Sequence, residues 1–170
     1  MHDIPTAEAD EFEWLIAEQA GVLTIAQAEA FFSSGVVRGH LRQRRWRRLC
    51  RGVLLAENGR LMRDQQLWAA VLVAGEHARL AGRAAAIEGG VRGLRAEPID
   101  VLVPAGRTRS GRLPRLAADM PAVRIHRTGV LPARHRQTGR PPRTTVARAL
   151  VSIPPRRYRS TPRPSERQSF

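Results

Sequence analysis

Thr24-Ile25-Ala26-Gln27-Ala28-Glu29-Ala30-Phe31-Phe32-Ser33-Ser34-Gly35-Val36-Val37-Arg38-Gly39-His40-Leu41-Arg42-Gln43-Arg44-Arg45-Trp46-Arg47-Arg48-Leu49-Cys50-Arg51-Gly52-Val53-Leu54-Leu55-Ala56 is the stretch that decides the fold. Thr24 followed three residues later by Gln27 is a capping box that opens a helix. Ile25, Ala28, Phe31 and Phe32 make its apolar face, and Ser33-Ser34-Gly35 predicts a tight turn. A short helix is expected from about Val36 to Arg44, with Val37 and Leu41 turned inward. Trp46 to Cys50 reads as a strand, Arg51-Gly52 as a turn and Val53 to Ala56 as the returning strand. Upstream, Asp10 to Ala20 has helical spacing in Phe12, Leu15 and Ile16, acids near the favourable N-terminal end, and Gly21 as a stop. Helix, helix, basic helix and basic hairpin is the order of a winged helix-turn-helix. In that motif the helix after the turn enters the major groove of DNA, and the hairpin flanks it on the phosphates.

Charge placement singles out the same stretch. The chain of 170 residues carries 29 basic residues, all arginine, against 15 acids, for a formal +14. GC-rich coding accounts for arginine in place of lysine as readily as selection does, but not for where the charge lies. Residues 1–29 hold seven acids and no arginine, whereas Arg38 to Arg51 includes seven arginines and no acid. Residues 61–100 balance, and residues 101–170 hold sixteen arginines against Asp119 and Glu166. A block of like charge repels itself unless a polyanion neutralises it. Arg38, His40, Arg42, Gln43, Arg44 and Arg45 are the candidates to approach the groove, with Arg47, Arg48 and Arg51 on the backbone. Neutralised phosphates release counterions, and Arg and Gln suit guanine and adenine edges. A solvated surface on a protein-interaction module is the competing reading. Trp46 is expected to pack into the base of the wing beside Leu49 and Val53, and Cys50 to be a small buried residue.

The expected class is α+β: a winged helix-turn-helix over residues 1–60, a small α/β domain over 61–151, and a basic, disordered low-complexity tail over 152–170. Leu61 to Ala74 reads as a helix ended by Gly75, and Arg79 to Glu88 as an alanine-rich helix closed by Gly89-Gly90. Ile99 to Val103 reads as a strand ended by Pro104, Arg107 to Pro114 as a basic loop, and Val123 to Arg127 as a half-exposed strand. Thr144 or Thr145 caps a helix that begins at Val146. Ser152-Ile153-Pro154-Pro155 stops it, which reads either as a truncated or frame-shifted C-terminus or as a basic tail with phosphate contacts.

Gly21 to Ala28 and Trp46 to Val53, then Ile99 to Pro104, Val123 to Arg127 and Arg143 to Leu150, fall in an order that resembles the AbiEi-type antitoxins of type IV toxin–antitoxin systems. The N-terminal part also resembles the region ahead of very-short-patch-repair-like endonuclease domains. The resemblance runs over about residues 10–151. It implies a winged helix that binds operator DNA and represses its own operon. It also implies a second domain that counters a nucleotidyltransferase toxin without required direct binding. Two departures stand out. The stretch from Arg38 to Trp46 is about one turn short, and Leu80-Ala81-Gly82-Arg83-Ala84-Ala85-Ala86 stands where the family often has a Ser-His pattern.

No apolar run approaches a membrane span, and the acidic N-terminus lacks an apolar signal core, so a cytoplasmic protein with no membrane contact is expected. One cysteine excludes an internal disulfide and a thiolate zinc cluster. No lysine is present, and Glu97 with Asp100 reads as surface solvation. His126 and His135 lack a metal-ligand spacing and a nearby acid in sequence, and Gly89-Gly90-Val91-Arg92-Gly93 is not a phosphate loop. The expectation is therefore a non-enzyme without catalytic residues, metal or cofactor. The alternative is a non-catalytic remnant or accessory interaction module of an endonuclease-associated protein.

Overall fold

The computed structural model describes residues 9–105, 113–137 and 139–153, and the architecture is α+β. The first unit runs α1 (Glu11–Glu18), β1 (Val22–Thr24), α2 (Ile25–Phe31), α3 (Ser34–Arg42), β2 (Arg47–Cys50) and β3 (Val53–Leu55). Asp10 and Glu13 cap α1 reciprocally, and Thr24 and Gln27 do the same for α2. The three strands form an antiparallel sheet in the order β1-β3-β2. The central strand β3 is buried along its whole length. Its alternation explains why. Leu54, with Leu23, faces the three helices, while Val53 and Leu55, with Val22, face the other way.

What covers that second face is α4 (Arg63–Ala74). Trp68 and Ala69 pack against Val22, Val53 and Leu55, while Leu67, Ala70 and Val71 pack against a second sheet. The helix is apolar nearly all round because it is buried on both sides. Beyond it come β4 (Arg79–Leu80), α5 (Gly82–Glu88), β5 (Ile99–Pro104), β6 (Val123–Thr128), a short 3-10 turn, β7 (Arg136–Gln137), β8 (Arg143–Thr144) and α6 (Val146–Val151). The sheet order is β6-β5-β4-β8-β7, with β5–β6 and β4–β8 parallel and the other pairs antiparallel. Leu80, Ile99, Val101 and Val103 turn toward α4, α5 and α6. The expected division near residue 60 therefore falls beside a helix whose side chains belong to both cores.

Several local expectations are corrected. Val22 to Thr24 is a strand, because its backbone completes the sheet edge beside β3. Ser33 is a helix cap and not part of a turn: its Oγ accepts from the Val36 N–H at 3.4 Å, so α3 begins at Ser34. The helix also ends early, at Arg42. The Arg45 N–H donates to the His40 carbonyl and the Arg44 N–H to the Leu41 carbonyl, a closure that puts Arg44 at φ 53°. Arg79-Leu80 is drawn out of the expected helix into the sheet, where Leu80 fills the core between β5 and β8. Gly82, at φ 48° and with Asp100 Oδ2 3.0 Å from where a Cβ would lie, makes the sharp entry to α5. Thr145 caps α6. The strand β6 is half-exposed, as expected, and lies at the edge of the sheet. Residues 107–112 of the expected basic loop and residues 154–170 of the expected tail lie outside the described residues.

A helix shared by two cores ties their stabilities together. Trp68→Ala should cost about 3–5 kcal/mol and Leu67→Ala about 2–5 kcal/mol. Each variant should unfold in one transition, with far-UV circular dichroism and tryptophan fluorescence coinciding. Two separated transitions would show that the sheets fold independently.

Candidate nucleic-acid interface

The orientation of α3 follows from a cluster of rings. Trp46, 8 % exposed, lies under His40 with the ring centroids 4.6 Å apart and the planes 16° from parallel. Phe32 meets Trp46 edge-on at 5.8 Å, and Phe12 meets Phe32 edge-on at 4.8 Å. Val37, Leu41, Leu23, Ala28 and Leu54 complete this cluster. The wing-base position expected for Trp46 is thus corrected, because its ring packs on the helical side of the sheet, away from Leu49 and Val53. Leu49 and Cys50 face α4 together because a bulge between Arg48 and Cys50 shifts the register of β2. Burial raises the Cys50 pKa, against a backbone hydrogen bond and the charge of Arg48, so the thiol is kept protonated at neutral pH.

With one face of α3 committed to the rings, the charged residues turn outward. Arg38, Arg42, Gln43, Arg44, Arg45, Arg48 and Arg51 are exposed. Among the described residues, none of these six arginines has a carboxylate within ion-pair distance. Arg38, Arg42, Arg44 and Arg48 line one open groove of about 880 Å³, together with Gly35, Leu41, Trp46, Arg47 and Asn58. The left-handed backbone at Arg44 places a cation where helices usually end in glycine.

Two of the nine expected residues also have partners inside the protein. His40 is a packing residue: its ring is stacked on Trp46, half-buried, with Nδ1 enclosed and unpartnered. Arg47 is held by the protein itself. Its Nη2 donates to Asp119 Oδ2 at 2.9 Å, and the two side chains are only 28 % and 27 % exposed. The same Oδ2 accepts from the Leu61 N–H at 3.3 Å, and the Asp119 carbonyl accepts from Gln66. The neighbouring Ala117 N–H donates to the Leu49 carbonyl at 2.8 Å. Residues near Asp119 thereby clasp the strand that carries Arg48. Nothing in the sequence signals this pair, since 72 positions separate the partners.

A second polar cluster lies on the larger sheet and corrects the reading of Asp100. That carboxylate is 5 % exposed, not solvated at the surface. Oδ1 is bonded to His126 Nε2 at 2.9 Å, with Arg124 at 3.9 Å, and Oδ2 accepts from the Arg83 N–H at 3.3 Å. Parallel pairing of β5 with β6 joins residues that stand 26 apart in the chain. Among the described residues no group of three or more His, Cys, Asp or Glu is placed to hold a metal ion. Among the described residues no helix is long and apolar enough to cross a membrane. No protein-family model, curated protein or solved structure matches the chain.

The Asp119 carboxyl titrates below the usual aspartate value. Burial alone would raise it, but the hydrogen bonds from Arg47 and the Leu61 N–H and the arginine's charge outweigh that. A depressed folded-state pKa stabilises above the unfolded value, near 3.9, and is lost as pH falls through the folded value. Asp119→Asn should therefore cost about 1–2 kcal/mol at pH 6–7, and the difference from wild type should shrink in urea melts as the pH falls below the unfolded value. A difference independent of pH would contradict the ionic role. In thermal melts, Arg44→Gly should stabilise by up to about 1 kcal/mol by relieving the left-handed backbone; a loss of that size would contradict the strain.

Proposed function

We propose that the protein is a DNA-binding antitoxin and transcriptional repressor that regulates its own operon through an N-terminal winged helix-turn-helix. The observation that carries this reading is the set of exposed arginines, unpaired among the described residues, on α3 and the turn after it. The order α1-β1-α2-α3-β2-β3, with the β2–β3 hairpin directly after α3 and β1 at the edge of the sheet, supports that motif. Only Ser33 and its preceding residue stand between α2 and α3, and the basic helix follows them.

In this reading Arg38, Arg42, Gln43, Arg44 and Arg45 approach the major groove, while Arg48 and Arg51 lie along the flanking phosphates. Arg47 positions the hairpin through Asp119 and contacts no DNA. His40 sets the pitch of α3 through Trp46. The length of α3, two and a half turns, limits base readout to its outward residues, so phosphate contacts supply most of the affinity. The antitoxin role, the type IV operon and the nucleotidyltransferase toxin rest on the resemblance of the ordered motifs alone. A cytoplasmic site of action belongs to the same proposal.

Footprinting on the gene's own promoter, with mobility-shift assays across a salt series, tests the reading. Arg42, Arg44 and Arg45 changed together to Ala should reduce affinity sharply and lower the salt slope by roughly 2–3. Folding should be intact, since all three are exposed. Unchanged affinity at matched salt would remove α3 as the recognition helix.

A further inference from the structure

The larger sheet carries a second cationic site, remote in sequence from α3. Arg79 stands opposite Leu102 in the ladder, and Arg136 stands opposite Thr144. Leu80 pairs with Arg143 and points into the helical core. Strand alternation therefore sends Arg79, Thr144 and Arg136 to the face away from the helices. There Arg79 and Arg136 line one cavity of about 370 Å³, together with His77, Pro104, Thr128, Gly129 and Leu131.

Three features of this cavity point to an anion. First, its two guanidinium groups repel one another, and neither has a carboxylate partner among the described residues. Arg79 is half-buried, and burial together with the charge of Arg136 lowers its pKa, the signature of a cation held without its counter-charge. Second, Pro104 and Thr128 end the parallel pair β5–β6, and ligands of such sheets gather at the carboxyl ends of the strands. Third, Arg136 Nε is fixed by the Leu131 carbonyl at 3.0 Å, which orients the rest of its guanidinium. Opposite Arg136 in the ladder, Thr144 is 1 % exposed, and its hydroxyl has no hydrogen-bond partner among the described residues.

We propose that this cavity binds the phosphate group of a small phosphate-bearing ligand, such as a mononucleotide, with Arg79 and Arg136 as its anion-binding residues. Paired arginines match a phosphate through charge-assisted, bidentate hydrogen bonds. The concave shape and size suit a small ligand and not the broad surface of a duplex. The site is independent of the reading of α3.

Isothermal titration of the full chain in chloride buffer, with inorganic phosphate and separately with AMP, tests it. Wild type should bind with a saturable 1:1 isotherm, AMP exceeding phosphate if a nucleotide is the natural ligand and equalling it if phosphate alone is read. Arg79→Gln and Arg136→Gln should each weaken binding at least about tenfold. Without ligand, Arg79→Gln should melt no lower than wild type because a repulsion is removed; Arg136→Gln, on an exposed edge strand, serves if the first variant misfolds. The Arg42, Arg44 and Arg45 triple variant should bind AMP like wild type, so loss of duplex affinity and loss of phosphate affinity are separable. Wild type that fails to bind either anion would overturn the proposal. So would wild-type affinity in both glutamine variants, loss of AMP binding in the triple variant, or dependence on Arg79 and Arg136 for duplex DNA only.

Discussion

The stacking of His40 on Trp46 is the contact on which the cationic surface depends. A nine-residue helix carrying two arginines, two glycines and a histidine has little intrinsic reason to form in water. It is held by a cap at Ser33, by Val37 and Leu41 in the core, and by a histidine spent as an aromatic surface. Once those groups face inward, the remaining positions can only face outward. The backbone at the helix end continues the effect. Its closure onto the His40 and Leu41 carbonyls places Arg44 in the groove that Arg48 also lines and leaves Arg45 exposed.

Two constraints then keep that surface rigid. From below, α4 presses the three-stranded sheet against the helices with Trp68 and Ala69, while its opposite side joins the larger sheet. From the side, Asp119 neutralises Arg47 and pins it against the start of α4. One arginine is thus withdrawn from the basic run to anchor the strand that presents the next. A surface built this way separates structural from available charge, and among the described residues six of the seven arginines between Arg38 and Arg51 have no carboxylate partner.

Much of this was legible in the sequence, for physical reasons that differ by element. The capping box at Thr24, the hairpin around Arg51-Gly52 and the alternation of β6 depend on neighbours in the chain. What was not legible depends on distant partners or on unusual backbone. Val22 to Thr24 is a strand only because β3 lies beside it, and Arg79-Leu80 only because β5 and β8 do. The end of α3 was hidden because arginine occupies the left-handed position that glycine normally marks. The pairs Arg47–Asp119 and Asp100–His126 join elements that only the fold brings together, so a run of arginines or an isolated aspartate gave no sign of them. The all-round apolar character of α4 was the one local clue that a boundary near residue 60 would not separate two cores.

The central claim is that six named guanidinium groups, and not the basic composition at large, receive a DNA duplex. The most direct measurement follows arginine side-chain Nε–H resonances of the labelled protein during titration with a duplex of its own promoter. Arg38, Arg42, Arg44, Arg45, Arg48 and Arg51 should shift together and saturate at one stoichiometry, while Arg47 stays with Asp119 and does not move. Shifts spread evenly over the arginines of both sheets, or confined to the larger one, would contradict the account.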